Sequence, residues 1–184
     1  MKYSLFALAL AAAIPLSAQA ADGLSYTHVE ADYLKADHGT DGWGLRGSAA
    51  LGGTGVYVLG GYSWLNADAP LGGNVDIKAN ELGLGYHHAI AAKTDLIGEL
   101  AYRNADTGNR NIDGLRTSVG VRSELADKVE GFVKGNYYDL SDYNGDFTGT
   151  IGGQYKFTKM WGATAEAEVG NGDQAYLLGV RASF

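Results

Sequence analysis

The sequence predicts an all-β chain closed into a single antiparallel, up-and-down barrel of about ten strands, preceded by an export segment. Three observations carry this. Segments of about nine to twelve residues alternate apolar and polar side chains, with clusters of Gly, Asn and Asp between them. Beyond the first twenty residues no window keeps a 3.6-residue apolar repeat, and no apolar run is long enough for a spanning helix. Finally, glycine stands at 28 and tyrosine at 12 against only 2 prolines. That balance suits a strongly curved sheet with unbroken hydrogen-bond ladders.

The elements follow in order. Residues 1–20 have the layout of a signal peptide: Lys2, an apolar stretch from Leu5 to Leu16, then Ala18-Gln19-Ala20 as a small-x-small cleavage site. The apolar stretch is about a dozen residues, where a spanning helix needs roughly 20. The exported part, 21–184, is one barrel domain. Its strands are expected near Leu24 to Leu34, Trp43 to Leu51, Val56 to Leu65, Ile77 to His87 and Asp95 to Asn104. Five more are expected near Leu115 to Ser123, Val129 to Asp139, Phe147 to Phe157, Trp161 to Val169 and Gln174 to Phe184. Weak self-similarity supports a hairpin unit of about 32 to 36 residues, with Lys93, Lys128 and Lys159 at successive turns.

Connections alternate in character. Gly52 to Gly55, Glu124 to Lys128 and Thr158 to Met160 are short, as expected of periplasmic turns. Lys35 to Gly42, Asn66 to Asn74, Ala105 to Asn111 and Leu140 to Gly145 are richer in Asp, Asn and Gly, as expected of extracellular loops.

One phase of the alternation is apolar: Trp43, Leu45, Ala49, Leu51, Leu82, Leu84, Tyr86, Leu96, Leu100, Tyr102, Val119, Val121, Phe147, Ile151, Tyr155 and Phe157. The other carries seven charges of each sign: Glu30, Asp32, Glu81, Glu99, Glu130, Glu166 and Glu168 against Arg46, Arg103, Arg116, Arg122, Lys134, Lys156 and Arg181. Periodicity alone leaves open which phase faces inward. Charges outside would make a soluble, lipocalin-like periplasmic ligand carrier; charges inside would make a membrane barrel with a salt-bridged lumen. Aromatic residues at strand ends favour the membrane barrel, because rings settle at headgroup level.

The last strand places Tyr176, Leu178, Val180 and Phe184 in one phase, with Ala182 where a bulkier residue is usual. On this terminal pattern, the signal segment and the girdles, the chain resembles the small outer-membrane barrels that include OmpX and the OmpA transmembrane domain, and the related barrels of xanthomonad-type bacteria. The resemblance implies residence in a Gram-negative outer membrane, with Tyr176, Leu178, Val180 and Phe184 as an insertion signal read by the barrel assembly machinery. The strand count departs from the eight of those prototypes, so eight strands, with two of the short ones as loop, is the alternative.

Composition narrows the function. The exported part carries 13 basic against 21 acidic side chains, which argues against nucleic-acid partners. Absence of cysteine excludes disulfides and thiolate metal sites. Asp37, Asp41, Asp68, Asp106, Asp142 and Asp173 make the expected loops acidic, but Asp favours turns on its own account. No metal or cofactor is expected. Among the histidines, only His38, beside Asp37 and Asp41, falls in an outer loop; no serine suits it, and no hydrolase motif is present. The expectation is a monomeric, non-enzymatic barrel in contact with membrane lipid and lipopolysaccharide, serving envelope integrity or surface interaction. A narrow passive pore for small solutes is the alternative.

Overall fold

The computed structural model describes residues 23–68, 73–108, 110–141 and 145–184. The expected signal peptide, and with it the cleavage site, lies outside these residues, as does Asp142. Ten strands follow one another: β1 (His28–Ala36), β2 (Thr40–Ala50), β3 (Val56–Asp68), β4 (Asn74–Ala91), β5 (Thr94–Asp106), β6 (Asn111–Ala126), β7 (Val129–Leu140), β8 (Asp146–Lys156), β9 (Trp161–Gly170) and β10 (Asp173–Ser183). Each pairs antiparallel with its sequence neighbours, and β1 pairs with β10 from His28↔Ser183 to Ala36↔Ala175, closing the barrel. All ten are present, so the eight-stranded alternative is not realised.

One end, here the base, carries the start of β1, the end of β10 and the connections 51–55, 92–93, 127–128 and 157–160. The opposite end is the rim. At the base, Lys93 bonds Glu124, and that hydrogen bond holds its ammonium above the usual lysine range.

The apolar phase is outside. Leu82, Leu84, Tyr86, Leu100, Val119, Ile151 and Leu178 are all exposed, while Glu30, Asp32, Arg116, Arg122, Glu130 and Arg181 are buried. From Trp43 on β2 to Leu51 just past its end, or Phe147 to Tyr155 on β8, the exposed apolar band runs about 26 Å along a strand at roughly 3.3 Å per residue. Transmembrane barrels carry such a band about 25 Å tall on strands tilted by roughly 40°, so this run covers about 20 Å of that height. Aromatic pairs mark its rim-ward edge: Tyr33 against Trp43 (5.3 Å), Tyr62 against Trp64 (4.5 Å) and Tyr137 against Phe147 (4.7 Å).

Two expectations need correction. The Asn- and Asp-rich stretches are largely strand, not loop: Asn66–Asp68 ends β3, Asn74 begins β4, Ala105 and Asp106 end β5, and Asn111 begins β6. Above the apolar band the amphipathic phase inverts. Asp76, Lys78 and Asn80 point outward on β4, with Val75, Ile77 and Ala79 turned inward between them. Water replaces hydrocarbon there, so polar residues can occupy the outer face of a strand. What remains at the rim between β1 and β2 and between β9 and β10 is tight: His38-Gly39, in a three-residue connection, and Asn171-Gly172, a two-residue primed turn, carry positive φ throughout (58° and 66°, 51° and 91°). The rim is uneven, because β4 runs on from Leu82 to Asn74 while β8 begins at Asp146, next to Phe147.

The second correction concerns the first strand, expected from Leu24 but beginning at His28. Residues 24–27 turn into the base of the lumen, where Tyr26, Tyr57 and Ile97 form a buried apolar cluster with Leu24 and Leu59 packed against it. Gly85 makes room for this cluster: a Cβ there would stand 2.1 Å from the Tyr57 ring.

The position of the band is testable. Leu84→Arg should cost about 2–4 kcal/mol, the penalty for a cation near mid-bilayer, and Asp76→Arg close to nothing. Urea unfolding in lipid vesicles measures both; equal costs would place the band elsewhere.

Candidate functional site: the barrel lumen

The inward phase of the strands delivers the polar residues to the lumen in three groups. On the wall of β1, β2, β9 and β10, the Arg46 guanidinium donates to Glu30 (2.7 Å), to Asp32 (2.9 Å) and through two nitrogens to Glu166 (3.0 Å each). Arg181 bonds the second oxygen of Glu30, and the Thr164 hydroxyl donates to the first (2.8 Å). A buried carboxylate is costly unless paired and hydrogen-bonded, and here each lies against a guanidinium.

On the wall of β4 to β7, Arg116 meets Glu81 through two nitrogens (2.6 and 3.1 Å) and Glu99 through a third contact (3.0 Å). Arg103 adds a contact to Glu81 (3.2 Å) and Lys134 one to Glu99 (3.4 Å). A chain of neutral groups continues from Arg116: Ser118 donates to Asn136 (2.7 Å), whose amide donates to the Thr148 and Thr150 hydroxyls (3.0 and 2.8 Å). Glu168 stands apart from the ion pairs and accepts from the hydroxyls of Tyr138 (2.8 Å) and Thr148 (2.7 Å).

At the base, Arg122 and Lys156 both meet Glu130. Arg122 also donates to the Ser25 carbonyl (2.8 Å), and its guanidinium lies over the Tyr26 ring (5.0 Å). Tyr26 stacks on His87 at 3.9 Å and donates to Asp95 (2.7 Å), which lies 3.1 Å from His87 Nδ1. Tyr57 donates to Glu99 (3.0 Å), tying this aromatic stopper to the wall network. Between the walls lies a cavity of about 730 Å³ that reaches from Tyr26, Ile97 and Arg122 at the base to Asp37, Asn171 and Asp173 at the rim.

Thirteen of the fourteen charged residues singled out in sequence thus meet in ion pairs, with Glu168 held by hydroxyls. The aromatic stopper was not anticipated. Its only sequence signal is a tyrosine two residues before the first strand, in line with the periodicity. Tyr176, Leu178 and Val180 lie exposed on β10, while Ala182 is buried beside Trp161 in the pairing register.

Apart from His87 beside Asp95, His38 and His28 lie at two separate places. His38 sits exposed on its turn, and the carboxylate nearest it is Asp173 at 3.7 Å, not Asp37 or Asp41. His28 Nδ1 lies 2.9 Å from Ser48 Oγ, a pair not foreseen in the sequence. Ser48 has a single proton, and the Tyr26 carbonyl 2.7 Å away accepts it. With that proton on the carbonyl, the imidazole Nδ1–H donates to Ser48. Among the described residues no group of three or more His, Asp or Glu converges as a metal site.

No family model and no curated protein matches the chain. Solved structures do. The KdgM porin superposes with a TM-score of 0.56 at 12% identity, over 85% of this chain and 99% of that one. The same porin in complex with disordered oligogalacturonate gives 0.54 at 13% identity, with the same coverage. The translocator domain of the autotransporter NalP from Neisseria meningitidis gives 0.51 at 10% identity, over 98% of this chain and 94% of that one. The fold is that of the outer-membrane β-barrels.

The Arg46 cluster sets a stability test. Arg46→Gln leaves Glu30, Asp32 and Glu166 without their shared cation and should cost about 3–5 kcal/mol. Arg103→Gln, which leaves Glu81 on Arg116, should cost about 1 kcal/mol or less. Urea midpoints of the refolded barrels compare the two; a mild Arg46 variant would mean water already shields that cluster.

Proposed function

We propose that this chain is a non-enzymatic outer-membrane barrel that is closed at its base, contributing to the envelope as a stable wall element with a polar rim exposed to lipopolysaccharide. The observation that carries this is the stopper: Tyr26, held by stacking on His87 and bonds to Asp95, with Tyr57 and Ile97 beside it, occupies the base of the lumen. The exposed apolar band and charged interior support a bilayer setting over the soluble-carrier alternative. The signal segment supports export, the base then facing the periplasm. Tyr176, Leu178, Val180 and Phe184 would be the segment read by the assembly machinery. Small size and a filled base liken it to the OmpX and OmpA kind of barrel, with two strands more.

The narrow-pore alternative draws on the cavity between the two charged walls and on the likeness to a porin. Planar-bilayer recording separates the two. The wild-type barrel should be silent, and Tyr26→Ala should produce discrete conductance steps by opening the base. Steady wild-type conductance would replace the closed barrel with the pore.

A further inference from the structure

We propose that the upper lumen is a binding chamber for an amphipathic carboxylate, a molecule with an acyl or aromatic body of roughly ten carbons and one anionic end. This rests on the closed barrel proposed above, which makes the lumen a cup open at the rim.

Two features of the cup define the ligand. The first is the inversion of phase above the membrane band, which sets Leu34, Ala79, Leu140 and Leu177 into the cavity wall among polar groups such as Ser63, Asn80 and Thr148. Partly exposed apolar walls in a concave site favour an apolar guest. The second is the floor. Its carboxylates are the more covered partners, with side-chain exposure of 1% for Glu30, 2% for Asp32 and 8% for Glu166 beside Arg46, and 21% for Glu81 beside Arg103. The guanidiniums remain accessible at 32% for Arg46 and 41% for Arg103. The charge a guest meets at the bottom is therefore cationic, and a planar fork of N–H donors matches a carboxylate. Of the acidic residues that border the cavity nearer the rim, Asp37 accepts the Gln174 backbone N–H and Asp173 faces His38, while Asp146 lines the wall of β8. Glu168 is held by Tyr138 and Thr148.

The test uses the folded barrel in lipid nanodiscs, with empty nanodiscs subtracted, and equilibrium dialysis of labelled decanoate. Decanoate should bind saturably, one per barrel. Decanol, decyltrimethylammonium and galacturonate, which lack either the anion or the apolar body, should bind at least tenfold more weakly. Arg103→Gln should weaken decanoate at least fivefold, and Ala79→Trp, which fills the chamber, should abolish saturable binding; an unchanged boiling-dependent gel shift certifies that both variants fold. Absence of saturable decanoate binding, equal binding of decyltrimethylammonium, or wild-type binding by Ala79→Trp overturns the chamber. A barrel that is silent in the bilayer yet fails to bind decanoate removes the chamber alone, whereas steady conductance removes the closed barrel on which it rests.

Discussion

The backbone ladder that joins β1 to β10 is the constraint from which the other features follow. In hydrocarbon no water can satisfy a free N–H or C=O, so a sheet that spans a bilayer must have no edge. Nine register pairs from His28↔Ser183 to Ala36↔Ala175 remove it. Closure then divides side chains into two sets with opposite solvents, and each residue in the band must suit either lipid or a confined lumen. Closure also fixes the bore, which is why Arg46 on β2 can reach Glu166 on β9 with β1 and β10 between them.

Inside that bore the electrostatics are local. Each wall satisfies its own charges: Arg46 serves three carboxylates on one side, and Arg116 serves two on the other. Had the pairs run between facing walls, the lumen would be bridged throughout. Because they hug the walls, a cavity remains between them, and the base is occupied instead by an uncharged element, the aromatic side chain of the segment before β1. Burial of Tyr26 is compatible with its hydroxyl only because Asp95 accepts its proton, and Arg122 covers the other side of the ring.

Much of this was legible in the sequence. Strand number and order followed from alternation, and all the charges assigned to the inner phase are on it, because a two-residue period leaves a side chain only two directions. The ends of strands were less legible. Asn66, Asp68, Asp106 and Asn111 carry low strand propensity, and propensity yields where the outer face is wet and the inner neighbours Leu65, Ala67, Ala105 and Ile112 are apolar. Pairings across the bore were not legible at all, since Glu166 lies 120 residues from Arg46 and only the closed geometry brings them together. Tyr26 escaped for a similar reason: its place in the alternation disguised a residue that leaves the sheet.

The uneven rim gives the mouth a direction. Where the wall is low, along β8 to β10 and the tight turns at His38-Gly39 and Asn171-Gly172, the opening tips toward the membrane plane, while β3 to β6 rise behind it like a hood. For a barrel set in a bilayer, the low sill lies nearer the lipid surface than the hood does.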